Sequence, residues 1–371
     1  MERVQHRSLG VFTSEENIKV GGSASLSFCI SSSQGTSLRP LVSYSAKSHE
    51  SIWVIRACDK ASRVPVVKFI EQAETSIDLW VYKLNDPNIL AALKGRVQCG
   101  VQLRIITCDN HYKHCLDGAT DESVLMNPFV YFKDLEGVEV KKLTHPELEK
   151  FQQHGKAMVV DAKKAIVTTG NWDRLGGNPA RDFVVFIDAS EIPTAFKELQ
   201  KLFEADWSGQ KFIPTSPKLL IGPFGQRARL SAFVQGAQKS LWMYQQSFND
   251  PELSKLCIEA IRRGVEFRLL MMEFPFGPKN DNEFFQQQIV DAGGELVFDR
   301  TNYVHGKLFI RDGEMAYLGS CNFYPGSVGA EEGGNREIGY IVGRPEAIAD
   351  LEKTFTEDWM QAVSMKFADS A

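Results

Sequence analysis

The sequence predicts an α/β protein built from two tandem copies of one domain. Two observations carry this. From Ser51 onward, short β-branched runs alternate with helical apolar patterns, and the landmarks of the first half recur in the second. A His-x-Lys pair also stands in each half, followed at equal spacing by an aspartate and an asparagine.

Residues 1–50 contain twelve serines and read as a polar N-terminal extension. Within it, Leu26, Phe28 and Ile30 alternate with polar residues at the period of a half-buried strand, so partial order is expected. Ser51–Ala57 reads as a strand, Val66–Ala73 as a helix and Ile77–Tyr82 as a strand. Asn85-Asp86-Pro87 is a helix start, the acid capping and the proline occupying the first helical position. That helix runs through Leu93 and ends near Gly100, before a strand over Val101–Ile106. Strand, helix and strand in succession imply a parallel pair.

The same succession returns 164 positions later. Ala73 and Ser76 recur as Ala237 and Ser240, Asn85-Asp86-Pro87 as Asn249-Asp250-Pro251, and Gly100-Val101 as Gly264-Val265. The offset falls to 151 at the histidines, because the first half carries an insertion between Asp109 and Gln153. Both halves close alike, on Asp206-Trp207 and on Asp358-Trp359. Ser208–Pro217, with two prolines and a glycine, reads as the linker. The expected organisation is therefore an extension over 1–50, a first domain over 51–210 and a second over 211–371.

Composition limits the function classes. The 371 residues suffice for two ordinary domains, and the formal charge of −5 supplies no global attraction to nucleic acid or anionic membranes. Seven irregularly spaced cysteines read as mostly buried thiols of a reducing compartment. The sequence lacks an apolar run approaching the roughly 20 residues of a membrane span, and its first residues do not read as a cleaved export signal. A cytoplasmic protein, or one exported without a cleaved signal, is expected.

Each His-x-Lys pair reads as the start of a hairpin. If Asp161 pairs with Lys164, and Asp312 with Met315 around Gly313-Glu314, then His154 opposes Asn171 and Lys156 opposes Thr169. In the second copy His305 then opposes Asn322, and Lys307 opposes Ser320. Residues at i and i+2, and those directly opposed, share a strand face, so His, Lys, a hydroxyl and Asn converge in each half. Gly155 and Gly306 face the other way, against a packed helix. Lysine charge and Asn, Ser or Thr donors suit phosphate oxygens, while histidine can attack phosphorus or move a proton near neutrality. One half holds one histidine of the motif; two halves together supply a nucleophile and an acid.

At these residues the chain resembles the phospholipase D superfamily, marked by His-x-Lys, an Asp and a Gly-Ser-x-Asn segment. The second half matches throughout (His305, Lys307, Asp312, Gly319-Ser320, Asn322), while the first has Thr168-Thr169 where Gly-Ser would stand. The resemblance covers about residues 51–365. It implies two tandem phospholipase D-like domains, each a mixed β-sheet flanked by helices, related by a pseudo-twofold with the active site between them. It further implies a phosphohistidine mechanism, with His154 as nucleophile and His305 as general acid and base. Lys156, Lys307, Asn171 and Asn322 would hold the phosphate, with Thr169 and Ser320 beside it. Asp182 and Glu337 match the family's downstream acids and would orient the histidines through Nδ1, and Asp161 and Asp312 would brace the hairpins. No metal or other cofactor is called for, and a monomer with both lobes in one chain, without an obligate protein partner, is expected.

Three further features stand outside the repeated motif. Cys108-x-x-His111-x-x-His114-Cys115 has no second ligand pair at zinc spacing and reads as a polar loop. Phe274, Phe276, Phe284 and Phe285, with Trp242 and Phe248, form either core or a lipid-facing mouth. Arg227, Arg229, Lys239, Arg262 and Arg263 make the second half locally basic, which solvated helix faces explain equally well. The expected activity is hydrolysis or head-group exchange on phospholipids at a membrane surface. A nuclease is the rival within the same chemistry, and a silent phosphate- or lipid-binding module the rival outside it.

Overall fold

The computed structural model describes residues 51–56, 64–108, 127–144, 152–172, 180–275, 280–329 and 334–368. The expected strand near Leu26 lies outside them. The first half comprises β1 (Ser51–Arg56), α1 (Val64–Glu71), β2 (Ser76–Trp80), α2 (Pro87–Gln98), β3 (Gln102–Thr107), α3 (Pro128–Tyr131), β4 (Val138–Lys142), β5 (Ala157–Val160), β6 (Lys164–Thr168), β7 (Ala180–Asp188) and α4 (Pro193–Ser208). The second comprises β8 (Leu219–Ile221), α5 (Gln226–Gln235), β9 (Ser240–Tyr244), α6 (Pro251–Arg262), β10 (Glu266–Met271), α7 (Glu283–Asp291), β11 (Glu295–Phe298), β12 (Tyr303–Val304), β13 (Leu308–Arg311), β14 (Met315–Gly319), α8 (Pro325–Val328), β15 (Ile338–Val342) and α9 (Pro345–Ala368).

The strands form two sheets with one plan. The first runs β1-β7-β6-β5-β2-β3-β4 and the second, from the other edge, β11-β10-β9-β13-β14-β15-β8. Each has a parallel trio, β2-β3-β4 or β9-β10-β11, joined to antiparallel strands that include the hairpin. Duplication of a mixed α/β domain is thus realised in the topology.

Ala157–Val160 is apolar throughout because both faces of β5 are covered. Ala157 and Val159 enter a core shared by the two sheets with α4 and α9, while Met158 and Val160 join the layer under α1 and α2. In β13, Leu308 and Ile310 enter the shared core and Phe309 packs outward beneath α5 and α6. The sheets therefore bury one face against each other's half.

Both Asn-Asp-Pro starts form as expected. Asp86 accepts from the N–H of Asn88 and Ile89, and Asp250 from that of Leu253 at 3.0 Å. The repeat also has a tertiary purpose. The N–H groups of Asn85 and Asp86 donate to the Trp172 carbonyl, and those of Asn249 and Asp250 to the Phe323 carbonyl. Each helix start therefore holds the residue that follows Asn171 or Asn322.

The hairpin register differs by one from the expected pairing. Val160 pairs with Lys164 and Arg311 with Met315, so each loop has three residues. Lys156 consequently lies opposite Thr168, with Thr168 N–H donating to its carbonyl at 3.1 Å. The cause is at the turn: Asp161 (φ 54°) and Asp312 (φ 58°) take the left-handed conformation and leave the ladder. Their N–H groups instead donate to Ser76 and Ser240 carbonyls, both at 2.9 Å. Gly155 and Gly306 also pack otherwise than expected, against the opposite lobe's strands rather than a helix. An added Cβ would lie 2.7 Å from the Ile338 side chain or 2.8 Å from Phe183.

Candidate active site

Two short crossings bring the halves to one centre. β12 pairs in parallel with β7, placing Val304 beside Arg181, and Gln153 bridges in parallel to Arg336. His154 N–H donates to the Arg336 carbonyl, and Gly306 N–H to the Arg181 carbonyl. Each histidine thereby enters next to the other lobe's acid, Asp182 within β7 or Glu337 just before β15.

The result is an exchange of carboxylates. His154 Nδ1 lies 2.8 Å from Glu337 Oε2, and His305 Nδ1 lies 2.9 Å from Asp182 Oδ1. All four side chains are buried. Both acids stand out in the sequence, but their pairing across the lobes does not. The Thr169 hydroxyl donates to Asp182 at 2.7 Å, and the Ser320 hydroxyl donates to Glu337. These hydroxyls, expected beside the phosphate, are thus engaged with the acids. Ser327, not singled out in the sequence, gives Glu337 Oε1 a second hydroxyl at 2.5 Å and accepts from Asn322 N–H at 3.0 Å.

Thr168 replaces a glycine of the motif because its surroundings differ. At Gly319 a Cβ would meet the Tyr317 hydroxyl at 2.5 Å and Gly339 Cα at 2.6 Å. In the first lobe the position of Tyr317 is held by Ile166, and Thr168 donates to the Phe183 carbonyl at 3.0 Å. The departure is structural and leaves the neighbouring hydroxyl in use.

Lys156 and Lys307 are fully buried, each donating through Nζ at 2.5 Å to the carbonyl of the histidine two residues before it. Lys307 Nζ also donates to Gln246 Oε1 at 3.3 Å. The side-chain oxygens of Asn171 and Asn322 are buried without a hydrogen-bond partner among the described residues.

Electrostatics couple the halves. Burial pushes His154 down to about 4, against the pull of Glu337, and Lys156 and Lys307 act in the same direction as burial. Burial likewise pushes His305 down to about 4, reinforced by Lys307 and opposed by Asp182. Burial disfavours ionisation of Asp182 and Glu337, yet the facing histidines and lysines outweigh it and hold both carboxyls below their usual range. Burial lowers Lys307 to about 8, with Asp182 and Glu337 both opposing. Each neutral imidazole therefore donates from Nδ1 to an acid and leaves Nε2 for chemistry.

Asp161 and Asp312 lie away from this centre. Asp161 accepts from the N–H groups of Glu74, Thr75 and Ser76, and Asp312 from those of Gln238, Lys239 and Ser240. Behind the site, two buried ion pairs cross the lobes: Arg181 grips Asp358 through two bonds of 2.6 Å, and Arg336 meets Asp206 at 2.8 Å. Both the Arg-acid and the Asp-Trp repeats were visible in sequence, but their mutual pairing was not.

Of the aromatic candidates, Phe248 stacks on Phe323 in the core and Trp242 packs on Phe355, whereas Phe274 and Phe284 are exposed. Phe276 and the residues 111–115 lie outside the described segments. The local basic cluster is largely tied down: Arg227 binds Asp250 and Glu252, Lys239 meets Glu314, and Arg229 and Arg263 donate to backbone carbonyls.

Two sheets of one plan, each lending a His-x-Lys pair to a common buried centre, define a duplicated phospholipase D-type fold. The chain belongs to the family described as the phospholipase D-like domain of cardiolipin synthase, whose model matches residues 66–207 and 230–359. It is 24% identical over 338 residues to a cardiolipin synthase of Geobacillus kaustophilus, covering 79% of this chain and 63% of that one. A probable cardiolipin synthase of Bacillus subtilis is 28% identical over 138 residues, or 35% of this chain and 26% of the relative. The chain thus spans less than two thirds of these relatives' lengths. Among solved structures, phosphatidylserine synthase of Haemophilus influenzae shares the fold with a TM-score of 0.58 at 14% identity, covering 84% of this chain and 86% of that one. Polyphosphate kinase of Porphyromonas gingivalis shares it with a TM-score of 0.59 at 12% identity, covering 84% of this chain and 50% of that one.

Proposed function

We propose that the chain transfers or hydrolyses the head group of a phospholipid through a phosphohistidine. The observation that carries this reading is the exchange of acids: two buried histidines, each with Nδ1 on the opposite lobe's carboxylate, around two buried lysines. The cardiolipin synthases among its relatives favour a lipid diester over a nucleic acid, as does the pairing of Arg227 and Lys239 in the basic cluster with neighbouring acids.

In the proposed sequence His154 Nε2 attacks phosphorus, forming a P–N bond while the P–O bond to the departing alcohol breaks. That oxygen takes a proton from His305 Nε2. His305 then removes a proton from water or from a second alcohol, whose oxygen attacks phosphorus and releases His154. Because burial holds both imidazoles neutral near pH 7, the negative charge of the bound diester draws in the proton that His305 delivers. Lys156 and Lys307 balance the charge on the non-bridging oxygens, with Asn171 and Asn322 beside them. Glu337 and Asp182 fix the tautomers, and Thr169, Ser320 and Ser327 hold the acids.

The test sets phosphatidylcholine and phosphatidylglycerol vesicles against single-stranded DNA, using wild type and His154→Ala. Lipid turnover by wild type and its loss in the variant is expected. DNA cleavage without lipid turnover would establish a nuclease, and binding without turnover a silent module.

A further inference from the structure

The lobes also differ at a hydrogen-bonded pair beside the histidines. In the first, the Tyr82 hydroxyl donates to Gln152 Oε1 at 2.8 Å. At the equivalent positions of the second, Gln246 Nε2 donates to the Tyr303 hydroxyl at 2.6 Å. The two residue types have changed places: tyrosine follows β2 and glutamine precedes His154, whereas glutamine follows β9 and tyrosine lies two residues before His305.

The exchange gives the two histidines different walls. The Tyr82 ring meets the His154 ring edge-on at 4.8 Å, with Lys156 Nζ 5.2 Å from its centroid. In the second lobe the corresponding place holds a carboxamide that accepts from Lys307, while the Tyr303 ring stands 6.2 Å from that of His305. Tyr303 is itself anchored, donating to the Pro275 carbonyl at 3.1 Å. An aromatic face offers an alcohol no conventional hydrogen bond, but a carboxamide has two N–H donors and two acceptor lone pairs, of which Tyr303 and Lys307 take one each.

An in-line displacement at phosphorus brings both the leaving and the entering oxygen to the proton-transfer histidine. We infer that Gln246, held by Tyr303, is the acceptor-selecting residue of the site and favours a hydroxyl-rich alcohol such as glycerol over water. This rests on the phosphotransfer reading above, with His305 as the acid. A polyol placed for attack can bond the carboxamide through a second hydroxyl, which a single water at the attacking position cannot do.

The test exchanges the residues as a pair. Gln246→Tyr with Tyr303→Gln gives the second lobe the arrangement of the first and keeps a tyrosine–glutamine bond, and Tyr82→Gln with Gln152→Tyr is the reciprocal control. Phosphatidylcholine vesicles are supplied with glycerol, and the ratio of phosphatidylglycerol to phosphatidic acid is measured. The second-lobe exchange is expected to lower that ratio about fivefold to tenfold, the effect of one lost hydrogen bond, and the first-lobe exchange to leave it unchanged. Gln246→Met, which keeps the length and removes the amide, should lower the ratio similarly. An unchanged ratio in an active Gln246 variant overturns the inference. So does loss of all lipid cleavage in both Gln246 variants, which would place the residue in the cleavage step instead. A wild-type chain inactive on every diester would refute the phosphotransfer reading itself, and the inference with it.

Discussion

His154 and His305 are each oriented by an acid that their own lobe does not supply, while burial outweighs those acids and keeps both imidazoles neutral. Lys307 carries the charge of this centre that titration can follow. Burial lowers its pKa to about 8, so the site loses that positive charge as pH rises through this value. Affinity for a soluble dialkyl phosphate, which keeps one negative charge throughout, should then fall by about tenfold per pH unit over the next unit or two above 8. Inhibition constants measured from pH 6 to 10 check this, and a flat profile would mean that Lys307 does not contact the anion. At this scale the sequence was informative about residue types, because fixed spacing marked His, Lys, Asp and Asn in both halves. Ser327 escaped notice because its contact with Glu337 joins a short helix to a neighbouring strand, and no periodicity records that.

At the scale of elements, the hairpin is fastened to the strand beside it through its turn. Asp312 accepts three backbone N–H groups at the start of β9, and Asp161 does the same for β2. Those bonds hold both carboxyls below their usual range despite the opposing effect of burial, so their stabilisation is present above the unfolded pKa and lost as pH falls through the lowered one. Asp161→Asn and Asp312→Asn should each cost about 1–2 kcal/mol near neutrality, since an amide accepts more weakly than a carboxylate. Alanine should cost more, because both positions have positive φ. Urea midpoints provide the measurement. The same turn explains the one-residue error in the expected register: counting residues in a loop does not reveal that its first residue is held by a third strand.

At the scale of the whole molecule, the lobes are joined by buried charge as well as by a shared core. Arg336 is fully buried, and Asp206, which also accepts from Trp80 Nε1 at 2.9 Å, is its carboxylate partner. Removing one partner of such a pair leaves a charge in low dielectric, so Asp206→Asn is expected to cost about 3–5 kcal/mol. Because the pair spans the lobes, both should unfold together in one transition shifted to lower urea. Two separate transitions, with only one displaced, would contradict a joint unit.

The duplication, the mixed α/β class and the histidine, lysine and asparagine residues were all legible in the chain by itself, because each depends on local periodicity or on repetition at fixed spacing. The Asn-Asp-Pro starts were legible for the same reason, since a cap acts within a few residues of itself. Only the tertiary structure decided that Glu337 serves His154 and Asp182 serves His305, and that Arg181 and Arg336 reach across to Asp358 and Asp206. Within either repeat a histidine and its own lobe's acid look like natural partners. What separates them is the packing of one sheet's crossing strand beside the other sheet, a contact between residues more than a hundred positions apart that depends on burying two apolar faces together.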